Sequence, residues 1–148
     1  MLSGVEAGTL DELSIWAREL LERSPVARMA FLDAVDRPRV LPVTYALHDG
    51  ALWSAIDQKP KRTGEPARVR YLRRRPDAAL TVDRYSDDWR ELAWVQVLGR
   101  VELLDAAQAE PALTALAAKY APYREEPPPG PVLRLVPERL LWWSATPL

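Results

Sequence analysis

The chain has 148 residues, enough for a single domain spanning 1–148 with its own core, and its formal net charge of −1 means that any cationic patch is local. It contains no cysteine, which excludes disulfides, thiolate metal sites and cysteine nucleophiles. No apolar stretch approaches the roughly 20 residues of a membrane helix and no charged-then-apolar leader is seen, so a soluble cytoplasmic protein with no membrane partner is expected.

The first predicted element is a helix. Thr9 and Glu12 make a T-x-x-E capping box, and Leu10, Leu13, Trp16, Ala17, Leu20 and Leu21 then recur at helical spacing. Ser24-Pro25 ends it, because proline disfavours helical geometry in the residue before it. A series of strands follows. Residues 28–33 are short and apolar, and Asp36-Arg37-Pro38 reads as a turn. Residues 39–47 alternate, with Leu41, Val43, Tyr45 and Leu47 on one face and Val40, Pro42, Thr44 and Ala46 on the other. Pro42 cannot donate to a ladder, so its strand is expected at an edge or at a bulge. Asp49-Gly50 closes a hairpin into residues 51–57.

A basic segment comes next. Lys59, Lys61, Arg62, Arg68, Arg70, Arg73, Arg74 and Arg75 face the single acid Glu65. Gly64-Glu65-Pro66 opens a short helix that runs to about Arg74 and stops before Pro76. Residues 78–85 form another strand, Ser86-Asp87-Asp88 a polar turn, and residues 92–104 the longest strand. In that strand Val95, Val97, Val101 and Leu103 line one face and Trp94, Gln96, Leu98, Arg100 and Glu102 the other. Asp105 and Gln108 cap a second amphipathic helix carrying Leu113, Leu116, Ala117 and Tyr120. After the stiff stretch Pro127-Pro128-Pro129-Gly130-Pro131, residues 132–136 and 140–144 are two final strand pieces. About six strands at hairpin spacing, with helices at the start and in the later half, predict a mainly β (α+β) antiparallel barrel with peripheral helices. Neither G-x-G-x-x-G nor G-x-x-x-x-G-K-[ST] occurs, so Rossmann and P-loop sites are not expected.

The only histidine, His48, adjoins the Asp49-Gly50 turn, where a solvent-exposed position is expected. One turn histidine supports neither a Ser-His-Asp triad nor a metal cluster. Asp87-Asp88 reads as a solvated pair of acids. No catalytic side chain and no metal are therefore assigned, and any redox chemistry is left to a cofactor. Lys59, Lys61 and Arg62, emerging after a strand and beside a helix N-terminus, suit a phosphate group. Arg73, Arg74 and Arg75 lie at the helix's far end, where solvated cations meet the dipole favourably. Apart from Tyr71, aromatic residues are not interleaved with these cations, which argues against a nucleic-acid partner. The mixed Trp94/Gln96 face suits a subunit interface or a ring-binding cleft.

The run R-M-A-F-L, D-R-P-R-V-L-P-V-T-Y-A, D-G-A-L-W-S-A-I-D, Q-K-P-K-R, L-R-R-R-P-D-A-A-L-T-V-D-R-Y and W-V-Q-V-L-G-R-V-E-L resembles the pyridoxamine-phosphate-oxidase-like split β-barrel flavoproteins. Within them it is similar to the small deazaflavin-dependent oxidoreductases that use coenzyme F420. The resemblance implies a homodimer with two cofactor sites at the interface, and hydride transfer between F420 (or, alternatively, FMN) and a small organic substrate. It places the ring along Leu41, Pro42, Val43 and Thr44, near Ser54, Ala55 and Ile56. Lys59, Lys61 and Arg62 would hold the cofactor's phosphate and acidic tail, and Trp94 and Gln96 would come from the partner subunit. Non-catalytic flavin or haem carriers share this fold and are the other expectation. The chain's last residues, from Leu140 to Leu148, lack the Arg- and His-rich segment of true pyridoxamine-phosphate oxidases, so vitamin B6 oxidation is not expected.

Overall fold

The structure, a computed structural model, describes residues 5–56 and 65–147. Its centre is one antiparallel sheet of eight strands, where about six were expected. These are β1 (Val5–Ala7), β2 (Ala27–Leu32), β3 (Pro38–Val43), β4 (Ala46–His48), β5 (Ala51–Ala55), β6 (Asp77–Arg84), β7 (Ala93–Leu104) and β8 (Val132–Ser144). Along the sheet the order is β3-β2-β6-β7-β8-β5-β4, with β1 added to β8. The two end strands, β3 and β4, are consecutive in the chain and joined only by Thr44 and Tyr45. Two residues reach at most about 7 Å, so the sheet must curl until its ends meet, which makes it a barrel split along that seam.

Four helices surround it: α1 (Ile15–Arg23), α2 (Ala67–Arg74), α3 (Glu110–Lys119) and α4 (Ala121–Glu125). The Thr9/Glu12 capping box forms as expected, but it caps a single 3-10 turn, Leu10–Glu12. The helix proper begins at Ile15, with the Ser14 hydroxyl accepting from the Ala17 N–H at 3.4 Å. Likewise the Asp105/Gln108 box caps a 3-10 turn, Ala106–Ala109, that leads into α3.

Strand alternation explains the core. Val95, Val97 and Val101 of β7 are buried with Met29, Leu80, Leu135, Leu140 and Trp142 of its neighbours. Leu21 of α1 and Leu72 of α2 join the same cluster. β5 is buried along its whole length because α3 covers its outer side: Ala51 and Trp53 pack with Ala109 and Ala112. The Asp49-Gly50 turn has φ of 48° and 71°, the left-handed pair that matches the twist of a tight hairpin. The two final strand pieces expected from sequence are one continuous strand, β8. Pro137 is accommodated because β7 and β8 shift register between Leu98 and Gly99, which relieves the ladder where proline has no donor. The single strand expected over residues 39–47 is instead two, β3 and β4, interrupted at Thr44-Tyr45.

Candidate functional site

Pro42 sits where its chemistry allows. β3 is the end strand of the sheet and pairs only with β2, so one side of its backbone has no strand neighbour among the described residues. Leu41 and Val43 point inward: Leu41 is half-buried against the core and Val43 is buried, opposite Met29 and Ala27. Pro42 is exposed on the outer face, opposite Arg28. Ser54 and Ala55 are buried and Ile56 half-buried. The Ser54 hydroxyl donates to the Thr44 carbonyl at 2.7 Å. That bond ties Ser54, near the end of β5, to Thr44, the residue just after β3, so the ends of these two stretches lie side by side.

The junction is held from a distance in sequence. The Thr44 and Tyr123 hydroxyls share a hydrogen bond at 2.6 Å, across 79 residues. The Tyr120 hydroxyl accepts the Tyr45 N–H at 3.1 Å and faces the carbonyl oxygens of Tyr45 at 3.0 Å and Pro25 at 2.8 Å. Tyr45 is fully buried and its hydroxyl donates to the Leu21 carbonyl, and burial pushes that phenol's pKa well above its ordinary value. These tyrosines explain why the chain breaks strand geometry at Thr44-Tyr45. Sequence reasoning placed Tyr120 on a helix face and missed Tyr123; nothing local marks either as a partner of Thr44. Tyr123→Phe is expected to destabilise the fold by about 1 kcal/mol, since it leaves the Thr44 hydroxyl without its protein partner. Urea unfolding measures this, and an unchanged midpoint would show the bond to be dispensable.

The basic segment divides. Lys59, Lys61 and Arg62 lie outside the described residues; the structure shows only that they follow the end of β5. Arg73, Arg74 and Arg75 are exposed at the helix's far end, as expected, and each is in addition ion-paired. Arg73 bonds both oxygens of Glu65, and that pairing lowers the Glu65 pKa. Arg74 reaches Asp36 at 3.0 Å and Arg75 reaches it at 3.1 Å. Asp36 is at φ 61° in the β2–β3 turn, and its pKa is lowered chiefly by the Arg74 hydrogen bond. Exposed pairs of this kind contribute little to stability, and cations already neutralised are poor ligands for a cofactor. Arg74→Ala is accordingly expected to leave cofactor affinity within about twofold; a larger loss in a binding titration would place Arg74 at the site.

Trp94 and Gln96 are half-buried on the outer face of the sheet. Register partners share a face, and the row Pro42, Arg28, Thr81, Gln96, Leu141 and Glu6 runs across it. Three strand spacings separate Pro42 from Gln96, roughly 14 Å. Within one chain, therefore, Trp94 and Gln96 are not brought to the β3–β5 junction. Around them the same face carries Ala30, Ala79, Leu98 and Trp143, and Val40, which is 64% exposed.

His48 is half-buried rather than exposed. Its ring lies 6.3 Å from that of Trp53, whose indole N–H donates to the His48 carbonyl at 2.9 Å. Asp88 accepts from the Arg90 N–H and pairs with its guanidinium, which occupies it structurally, while Asp87 is exposed. Among the described residues no group of three metal-ligating side chains converges, and no helix is long and apolar enough to cross a membrane.

A family model described as pyridoxamine 5′-phosphate oxidase matches residues 16–144. No curated protein matches the chain in sequence. Solved structures do match in shape. A FAD-binding protein from Mesorhizobium loti is 19% identical, with a TM-score of 0.65 over 95% of this chain and 97% of its own. The heme storage protein HutZ from Vibrio cholerae is 12% identical, with a TM-score of 0.69 over 86% of this chain and 91% of its own. An F420 reductase is 18% identical, with a TM-score of 0.62 over 86% of this chain and 98% of its own. At these identities the likeness establishes a shared fold, and the similar proteins differ in the groups their names carry.

Proposed function

The chain belongs to the pyridoxamine 5′-phosphate oxidase family, and from that premise we propose that it is an F420-dependent oxidoreductase acting as a homodimer on a small organic substrate. The observation that carries the reading is the β3–β5 junction, where an open strand edge meets the buried end of β5 through the Ser54–Thr44 bond. Such an edge suits a flat ring with polar rims. The side of β3 that has no strand neighbour among the described residues would face its hydrogen-bonding rim, and the half-buried Leu41 and Ile56 would supply apolar contact. Reduced F420, when bound, supplies the hydride. The chain's own part is to orient the ring, to exclude water at the junction and to balance negative charge. Lys59, Lys61 and Arg62, following β5, are assigned that last task.

The homodimer is part of this proposal, and the roughly 14 Å that separates Pro42 from Gln96 within one chain is consistent with it. Trp94 and Gln96 reach the ring only when a second copy presents its outer face, and that face offers Val40, Leu98 and Trp143 as apolar contact. The likeness to a FAD-binding protein and to HutZ supports a second reading, an FMN-dependent enzyme or a non-catalytic flavin or haem carrier. Thermal unfolding with added ligand separates them, because a ligand that binds only the folded state raises the midpoint. F420 at about a hundred times its dissociation constant is expected to add roughly 2.7 kcal/mol. A rise with FMN or haem and none with F420 would overturn the F420 assignment.

A further inference from the structure

A concavity lies at the opposite end of β5 from Ile56. It is a cleft of about 550 Å³ between α1, the β4–β5 hairpin and α3. Leu10, Leu47, Ala115 and Ala118 give it apolar walls, and Lys119, the last residue of α3, also lines it. The Lys119 amine is unusually placed. It donates to the Ser24 carbonyl at 2.8 Å and lies 4.0 Å from the centre of the Tyr45 ring and 5.4 Å from that of Tyr120. Among the described residues no carboxylate lies within ion-pair distance of it, since Glu22, on the same cleft, is engaged by Arg18 at 2.9 Å. The remaining charged or titratable neighbours across the cleft are His48 and Asp49 from the hairpin. A half-buried ammonium with π faces and one carbonyl for partners is held less firmly than one facing a carboxylate.

We propose that Lys119 is a covalent modification site, whose amine condenses with small apolar aldehydes admitted by the cleft. The amine nitrogen attacks the carbonyl carbon, the C–N bond forms, and the carbonyl pair moves to oxygen. The resulting carbinolamine loses its oxygen with both amine hydrogens as water, leaving an imine; no oxidant or reductant takes part. The nitrogen must be neutral to attack. Burial of the ammonium, opposed more weakly by the charge of Glu22, lowers the Lys119 pKa from 10.5 to about 8, so a substantial fraction is neutral near physiological pH. An ordinary lysine, with a pKa near 10.4, is about two-hundredfold less often neutral there.

The chain supplies its own controls, because Lys59 and Lys61 are its only other lysines. The whole protein is treated briefly with butanal and cyanoborohydride, which traps imines by reduction, and each lysine is read by peptide mass spectrometry. At about pH 7.5 Lys119 is expected to be labelled at least about tenfold faster than Lys59 or Lys61, with its rate levelling above about pH 8 as the amine becomes fully neutral. Equal or slower labelling of Lys119 overturns the proposal. Ala118→Trp, at an exposed position on the cleft wall, is expected to slow Lys119 at least about fivefold and leave the other two unchanged. An undiminished rate in that variant removes the cleft from the explanation and overturns the proposal equally.

Discussion

Gly99→Ala is expected to destabilise the protein by about 3 kcal/mol or more, an effect large beside the roughly 5–15 kcal/mol that holds a typical domain together. A Cβ built on Gly99 falls 2.0 Å from the Val136 carbonyl oxygen and 3.2 Å from the Pro137 Cα. Both are backbone atoms of the neighbouring strand, so no side chain can swing aside. Relief requires β7 and β8 to separate at their register shift, and these two strands pair from Ala93↔Ser144 to Leu104↔Val132. The strain of overpacking and the loss of ladder hydrogen bonds then add. Gly50→Ala is the natural comparison. Gly50 has φ 71° with nothing within 4 Å of a new Cβ, so only its backbone conformation is penalised, by about 1 kcal/mol. Urea unfolding of both variants distinguishes the two costs. A Gly99→Ala midpoint equal to that of Gly50→Ala would show that the bulge yields easily.

The second large effect concerns binding. Replacing Lys59 and Lys61 together by alanine is expected to weaken F420 binding at least about tenfold while leaving the unfolding midpoint unchanged. Hydrogen bonds to charged groups are worth about 1.5–3 kcal/mol each, and 1.4 kcal/mol is a factor of ten in affinity. Both lysines follow β5 in sequence, and their replacement removes two positive charges. The wild-type affinity should also fall with added salt, and the variant's should fall less. Equal affinities in a fluorescence titration would remove the phosphate-site assignment. Unfolding of the variant would instead assign the lysines to the fold.

How far the sequence foretold this molecule depends on the range of the interaction concerned. Asp49-Gly50 announced a hairpin because positive φ at both positions is a property of those two residues. Pro42 announced an edge because a missing donor is decided by one residue. Alternation along residues 93–104 marked both faces of β7, since side-chain direction in a strand is local. The break at Thr44-Tyr45 was hidden. Residues 39–47 alternate without interruption, and what ends β3 is a hydroxyl network from Tyr120 and Tyr123, more than 70 residues onward. The ion pairs of Arg74 and Arg75 were hidden for the same reason, because Asp36 comes to them through the β2–β3 turn. The same holds for β8: Pro137 reads as an interruption, and only the register shift opposite Gly99 allows the strand to continue. Of the candidate site, Thr44 and Ser54 are joined by a hydrogen bond. Trp94 and Gln96 stand apart from them in a single chain, and their place at the site belongs to the proposed dimer.

The central claim is that the junction of β3 and β5 takes a deazaflavin. The most direct test is a fluorescence titration of the purified protein with oxidised F420, repeated with FMN as competitor. The account predicts saturable binding at one F420 per chain that FMN does not displace. Displacement by FMN, or no binding of F420 at all, would contradict it.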